Sequence, residues 1–271
     1  MTVELDDAGT AVAAARAGAA VVRALHGGRL ERVDKGGGDF ATTADIEAER
    51  AILDLLRAAR PGDAVLGEES GFGGGGGGGA RGSDPARLWL VDPLCGTLNY
   101  AAGTMVVAVN VALRDGAAAV ADPFAGEVYA TDGTAAWAEP VEGGDRAPLA
   151  PTAASGLVDV NLDPPFPSAP GIRGADLLAH PGFAERFRPR VVSSTLALAW
   201  VAAGRRAAYV TDGGDLRGSV HFAAGIALCR AAGCVVTGIG GEPLGPKARG
   251  LLVAADSGTH AVLLRLLLGR G

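Results

Sequence analysis

The chain has 271 residues, of which 48% are hydrophobic and 20% charged, a composition that predicts a globular protein of one large domain or two smaller ones sharing a core. A formal net charge of -6 leaves no basic stripe to neutralise a phosphate backbone and excludes wholesale nucleic-acid binding. Three scattered cysteines exclude a secreted disulfide framework; with no charged-then-apolar leader and no long uninterrupted apolar span, the sequence reads as cytoplasmic and not membrane-bound.

Residues 6–25 predict an Ala-rich helix, with Asp6, Asp7 and Thr10 near its start and Val12, Ala15, Ala19, Val22 and Leu25 on one inward face. Residues 35–45 read as a flexible loop into a second helix over 44–60. That helix carries Ile46, Ile52, Leu53 and Leu56 on one face and stops at Pro61-Gly62, while Glu31, Glu47 and Glu49 read as a solvated face. A brief strand at Val65-Leu66 delivers Glu68 and Glu69. The glycine run of residues 73–79 reads as a surface loop, because a phosphate cradle would need a following Lys-Ser/Thr and a helix.

The stretch Leu88-Trp89-Leu90-Val91-Asp92-Pro93-Leu94-Cys95-Gly96-Thr97-Leu98-Asn99-Tyr100 predicts a strand, a Pro- and Gly-marked turn and a helix start. Asp92, Cys95 and Thr97 then cluster at a strand's carboxyl end, where α/β proteins put ligands. Antiparallel strands are expected over 105–113, 117–121, 127–131 and 134–137, with Arg114-Asp115-Gly116 as a hairpin turn. Residues 139–155 read as a boundary, dividing an N-terminal α+β subdomain (1–140) from a C-terminal α/β subdomain (141–271). The second half alternates: strand 157–161, helix 175–187, strand 190–192, helix 195–203, strand 207–211, helix 220–232, strands 234–237 and 251–254, helix 259–268. That alternation favours a layered α/β (α+β) architecture. Cys229 and Cys234 read as small core residues, and His26, His180 and His260 as histidines without visible partners.

Six ordered segments resemble the inositol monophosphatase family. They are Lys35…Asp39…Thr42…Asp45, Gly67-Glu68-Glu69-Ser70, the Asp92–Thr97 turn, the hairpin from Asp122 to Ala130, and Val192-Ser193-Ser194-Thr195-Leu196-Ala197 followed by Val220-His221-Phe222-Ala223-Ala224-Gly225. The family pattern at the turn is Asp-Pro-x-Asp-Gly-Thr, so Cys95 stands where it has its second Asp; His221 likewise stands for an Asp. The resemblance implies an αβαβα sandwich and Mg²⁺-dependent hydrolysis of a small polyol or sugar phosphate, with a homodimer as a common assembly.

By the same resemblance, Glu68, Asp92, the Leu94 carbonyl, Cys95 and His221 are the metal ligands. Thr97, Glu69, Asp45, Cys95 and His221 are the catalytic set. Gly96, Ser193, Ser194, Thr195, Asp215 and Arg217 would meet the substrate, the last two from a loop at 212–218 longer than the family's. Mg²⁺ wants hard oxygen donors, so Cys95 and His221 leave four expectations open. The protein remains a Mg²⁺ phosphatase with a weakened second site, or Asp92, Cys95 and His221 take Zn²⁺ or Fe²⁺. Otherwise the metal is gone and Cys95 is a nucleophile with His221 as base, or the chain binds phosphate ligands without catalysis.

Overall fold

The computed structural model describes residues 5–29, 31–36, 39–73, 85–162 and 172–269. In chain order the elements are α1 (Asp7–Leu25), β1 (Arg32–Gly36), β2 (Asp39–Thr42), α2 (Thr43–Ala59), β3 (Ala64–Gly67), β4 (Gly71–Gly73), β5 (Leu88–Cys95), α3 (Thr97–Ala101), β6 (Ala108–Leu113), β7 (Ala118–Asp122), β8 (Glu127–Thr131), β9 (Ala136–Pro140) and β10 (Ala147–Pro148). The second half adds β11 (Leu157–Asn161), α4 (Gly174–Ala179), α5 (Pro181–Arg186), β12 (Arg188–Val191), α6 (Leu196–Ala202), β13 (Ala208–Thr211), α7 (Ala223–Ala231), β14 (Val235–Thr237), β15 (Leu251–Ala254) and α8 (Ser257–Leu267).

An eight-stranded sheet runs β10-β9-β8-β7-β6-β5-β3-β4, and a five-stranded sheet runs β12-β11-β13-β15-β14. Side chains alternate across β5, so its two faces meet different partners. Trp89 and Val91 pack with Ala11, Ala15 and Val22 of α1 and Ile52 and Leu56 of α2. Leu88 and Leu90 face the other way, onto Leu196 and Ala199 of α6 and Ala224 and Leu228 of α7. Leu198, Val201 and Ile226 then turn to the second sheet at Tyr209, Leu251 and Val253. Beyond that sheet lie Leu177, Phe183 and Leu263 of α4, α5 and α8. The result is the expected five-layer αβαβα sandwich, with α6 and α7 as a layer shared by both sheets.

α1 is long and apolar enough to cross a membrane by composition alone. Its apolar face instead builds one wall of the first core, so packing accounts for that composition.

Four local expectations are corrected. The stretch read as a flexible loop forms the β1–β2 hairpin, closed by antiparallel pairing from Arg32 to Thr42; its glycines hid the β period. The helix expected over 175–187 is two short helices. Pro181 has no N–H to continue α4, and it opens α5 while the His180 ring accepts from Gly182 N at 3.1 Å. α7 starts at Ala223 rather than residue 220, which puts His221 in the turn before the helix. His180, with its cap, and His260, whose Nε2 is 2.8 Å from Thr237 Oγ1, both have partners; His26 packs edge-on against Tyr100 and Phe124. Past Gly73 the glycine run lies outside the described residues.

Candidate active site

β5 ends in an irregularity that creates the site. Asp92 pairs with Asn110 of β6 and Cys95 with Ala108, so the register shifts between them and β5 carries an extra residue there. Such a bulge suspends strand alternation, and it lets Asp92 and Cys95, three residues apart, face one pocket. Asp92 is fully buried and held on both oxygens. Its Oδ1 accepts from Leu94 N at 3.1 Å and its Oδ2 from Asn110 Nδ2 at 3.3 Å. Gly96 then turns the chain with φ 105°, where an added Cβ would lie 2.9 Å from the Val106 carbonyl oxygen.

Asp45 reaches the same turn from α2. It accepts from Thr42 N at 2.8 Å in a capping box, and its Oδ1 lies 2.9 Å from Thr97 Oγ1. Thr97 Oγ1 is also 3.1 Å from the Leu94 carbonyl oxygen. Burial pushes the Asp45 carboxyl above its ordinary range, with the Thr42 and Thr97 hydrogen bonds pulling it back.

Glu68 and Glu69 follow β3. The Glu68 carboxyl is pressed against Asp92; burial first and the Asp92 charge second push it up to about 9. Glu69 sits 2.8 Å from Lys35 Nζ, which also reaches Glu68 at 3.2 Å from β1. Burial opposes the Lys35 charge, but the two glutamates more than offset it and hold the amine protonated. Glu49 corrects the solvated-face reading. It is buried, and its carboxylate accepts from Glu69 N and Ser70 N, both at 2.8 Å, fixing the turn that aims the glutamates. Gly67 allows that approach, since a Cβ there would sit 2.6 Å from Glu49 Oε2.

His221 arrives from the turn before α7. Its Nδ1 lies 2.8 Å from Asp92 Oδ2 and 3.7 Å from Glu68 Oε2. Burial disfavours the imidazolium, yet Asp92 and Glu68 outweigh it and hold the ring at about 9. Cys95 is partly exposed as a residue, but its sulfur is enclosed and accepts from Thr195 N at 3.3 Å. Burial and then Asp92 push that thiol well above its ordinary value. This corrects the expectation of a thiolate activated by a helix start. α3 is only five residues long and begins past Cys95, and His221 Nδ1 engages carboxylates.

The substrate set divides. Ser194 and Thr195 are buried with inward hydroxyls: Ser194 Oγ lies 3.3 Å from the Cys95 carbonyl oxygen, and Thr195 Oγ1 accepts from Asn110 Nδ2 at 3.0 Å. These two residues brace the turn, as does the Ser193 carbonyl, which accepts from Asn99 Nδ2 at 3.1 Å. Asp215 and Arg217 are exposed on the loop after β13, where Asp215 accepts from Arg217 N. Sequence reasoning gave no role to Glu49, Lys35 and Asn110. Glu49 shares its helix phase with Ile52, Leu53 and Leu56, and Asn110 is the polar residue inside an apolar strand, so both signals were present.

The profile of the inositol monophosphatase family matches residues 3–269. The chain belongs to that family. Family members are phosphomonoester hydrolases that generally use Mg²⁺. An inositol-1-monophosphatase, ImpA, of Mycolicibacterium smegmatis is 33% identical over 88% of this chain and 84% of its own. A probable inositol 1-monophosphatase ImpA of Mycobacterium tuberculosis is 35% identical over 87% of this chain and 84% of its own. Among solved structures, the extragenic suppressor protein suhB of Bartonella henselae superposes with a TM-score of 0.77 at 25% identity, covering 95% of this chain and 96% of its own. The Thermotoga maritima IMPase shares the fold, with a TM-score of 0.73 at 20% identity, over 96% of this chain and 97% of its own. Asp45, Thr97 and the Leu94 carbonyl meet at one turn, Glu68 lies against Asp92, and the Cys95 sulfur and His221 ring nitrogen lie beside Asp92.

Proposed function

We propose that this protein is a Mg²⁺-dependent phosphomonoesterase acting on a small polyol or sugar phosphate. One observation carries the reading: the half-buried Glu68 carboxyl is pressed against the fully buried Asp92, at the turn where Leu94 N–H meets Asp92 and the Leu94 carbonyl meets Thr97. Like-charged neighbours at such a site need a proton or a cation between them, and three hard oxygens fit Mg²⁺. Glu68, Asp92 and the Leu94 carbonyl would therefore hold the ion, while Cys95 and His221 do not suit a second Mg²⁺. When bound, Mg²⁺ supplies charge neutralisation on the phosphoryl oxygens and a more acidic water.

The chain's own residues supply orientation. Thr97 has one hydroxyl hydrogen and two possible acceptors, Asp45 at 2.9 Å and the Leu94 carbonyl at 3.1 Å. A carboxylate acceptor makes a hydrogen bond roughly twice as strong as a neutral one, so the hydrogen goes to Asp45. That leaves the Leu94 carbonyl for the ion and the Thr97 lone pairs to accept from the attacking water. Glu69, paired with Lys35, would flank the same water, and the Gly96 turn and the Asp215–Arg217 loop would meet the substrate.

Phosphate release from a panel of inositol and sugar monophosphates, titrated with Mg²⁺, tests this. Glu68→Gln and Thr97→Ala should each lower kcat by about 10²-fold or more. No Mg²⁺-dependent release from any ester, or an unchanged Thr97→Ala, would overturn the reading. A second reading has one observation in its favour: the His221–Asp92 pair, at 2.8 Å, already brings a positive charge to the pocket. The chain would then bind phosphate ligands without hydrolysing them.

A further inference from the structure

Beside the Mg²⁺ donors stands a second set with different chemistry. The ligand atoms of Asp92, Cys95 and His221, one oxygen, one sulfur and one nitrogen, all lie within 4.8 Å of one another. They come from two places far apart in sequence, the bulged end of β5 and the turn before α7. Cys95 and Asp92 are each held by a neighbour that would act as an outer support. Thr195 N–H points at the Cys95 sulfur from 3.3 Å, and Asn110 Nδ2 bridges Asp92 Oδ2 at 3.3 Å and Thr195 Oγ1 at 3.0 Å. Partners of this kind fix ligand orientation, and their loss typically costs about 10–100-fold in metal affinity.

We propose that Asp92, Cys95 and His221 form a binding site for a borderline transition cation, Zn²⁺ foremost, adjacent to the Mg²⁺ position. The inference rests on the proposed function only through Asp92, which both ions share. Thiolate and imidazole select Zn²⁺ over Mg²⁺. Three protein ligands leave a fourth tetrahedral position for water or a phosphoryl oxygen, the arrangement of catalytic rather than structural zinc. The His221 Nδ1 to Asp92 Oδ2 separation is 2.8 Å. Zn–N and Zn–O bonds of about 2.0–2.1 Å at tetrahedral angles set the two atoms roughly 3.4 Å apart. Admission of the ion needs loss of the proton between them and an opening of about half an ångström.

Co²⁺ serves as the optical probe and Zn²⁺ as its competitor, on the full-length protein. Co²⁺ should produce a near-ultraviolet thiolate-to-metal band at one equivalent, removed by Zn²⁺ but not by Mg²⁺. Cys95→Ser should abolish the band, and His221→Ala should weaken Zn²⁺ binding at least tenfold; Cys229→Ser with Cys234→Ser should leave both intact. A folded wild type without the band, or a band that survives Cys95→Ser, overturns the proposal. Mn²⁺ binding followed by electron paramagnetic resonance reports the neighbouring site separately. Mn²⁺ that binds through Glu68 in a wild type without the cobalt band removes this proposal and leaves the phosphatase reading standing. A Cys95-dependent cobalt band in a protein whose Mn²⁺ binding ignores Glu68→Gln upholds the zinc site and removes the Mg²⁺ assignment.

Discussion

Glu49 shows how one buried side chain can govern a site that it does not line. Its two oxygens accept the N–H groups of Glu69 and Ser70. Glu49→Ala would leave both part-buried donors without their acceptor, at up to about 1–3 kcal/mol each where water does not replace it. We expect a clear fall in melting temperature and a larger fall in kcat than in substrate affinity, measured by steady-state kinetics. The pocket's charges predict a second behaviour. His221 and Glu68 are both held at about 9, above ordinary values of 6.5 and 4.5. The folded protein therefore binds more protons than the unfolded chain between those limits, and stability falls as pH rises. Stability from the His221 pair is complete below pH about 6.5 and lost as pH passes about 9. Denaturant titrations of metal-free protein from pH 6 to 9.5 should show this decline, and a bound cation should flatten it. The two ligand changes carry a third expectation. Cys95→Asp with His221→Asp should raise Mg²⁺-dependent hydrolysis, and neither change alone should suffice, because each leaves a soft donor behind. Equal rates for the double variant and the parent would refute it.

At the scale of elements, β5 and its turn were legible because an apolar run, Pro93 and Gly96 announce themselves in sequence. The bulge within that run was not, since nothing in Asp92-Pro93-Leu94-Cys95 states which residue lacks a cross-strand partner; the pairing to Asn110 and Ala108 settles that. The β1–β2 hairpin was missed for a related reason. Glycine-rich segments carry little periodicity, and this one is defined by its pairing from Arg32 to Thr42 and by the Lys35 contacts to Glu68 and Glu69. Of the site, the residues in contiguous motifs were readable. The hydrogen bonds of Ser193, Ser194 and Thr195 were not, because Asn99, Cys95 and Asn110 supply them from distant sequence. Gly96 offers an element-scale test. Gly96→Ala would put a methyl 2.9 Å from the Val106 carbonyl oxygen and 3.2 Å from that of Ser193, at φ 105°. Both the turn and its brace would shift, so cation binding should weaken at least tenfold while far-ultraviolet circular dichroism changes little.

Over the whole molecule, the site lies where the first sheet meets the layer shared by both sheets. Glu68, Asp92 and Cys95 come from one side of that seam, Thr195 and His221 from the other. A fragment cut after residue 140 would leave Leu90, Val120 and Tyr129 without Leu196 and Leu228. We expect it to aggregate rather than fold, as judged by sedimentation and dye binding, since an apolar sheet face of that kind seeks another surface. The seam also carries a consequence for how an ion enters. With its thiol and its imidazolium protonated, the Asp92–Cys95–His221 set sums to zero: one negative, one neutral, one positive. With a dication, a thiolate and a neutral ring, it again sums to zero. Uptake of zinc is thus an exchange of two protons for one ion at constant charge. Its affinity should climb about a hundredfold per pH unit while both groups remain protonated, and ionic strength should leave it nearly unmoved.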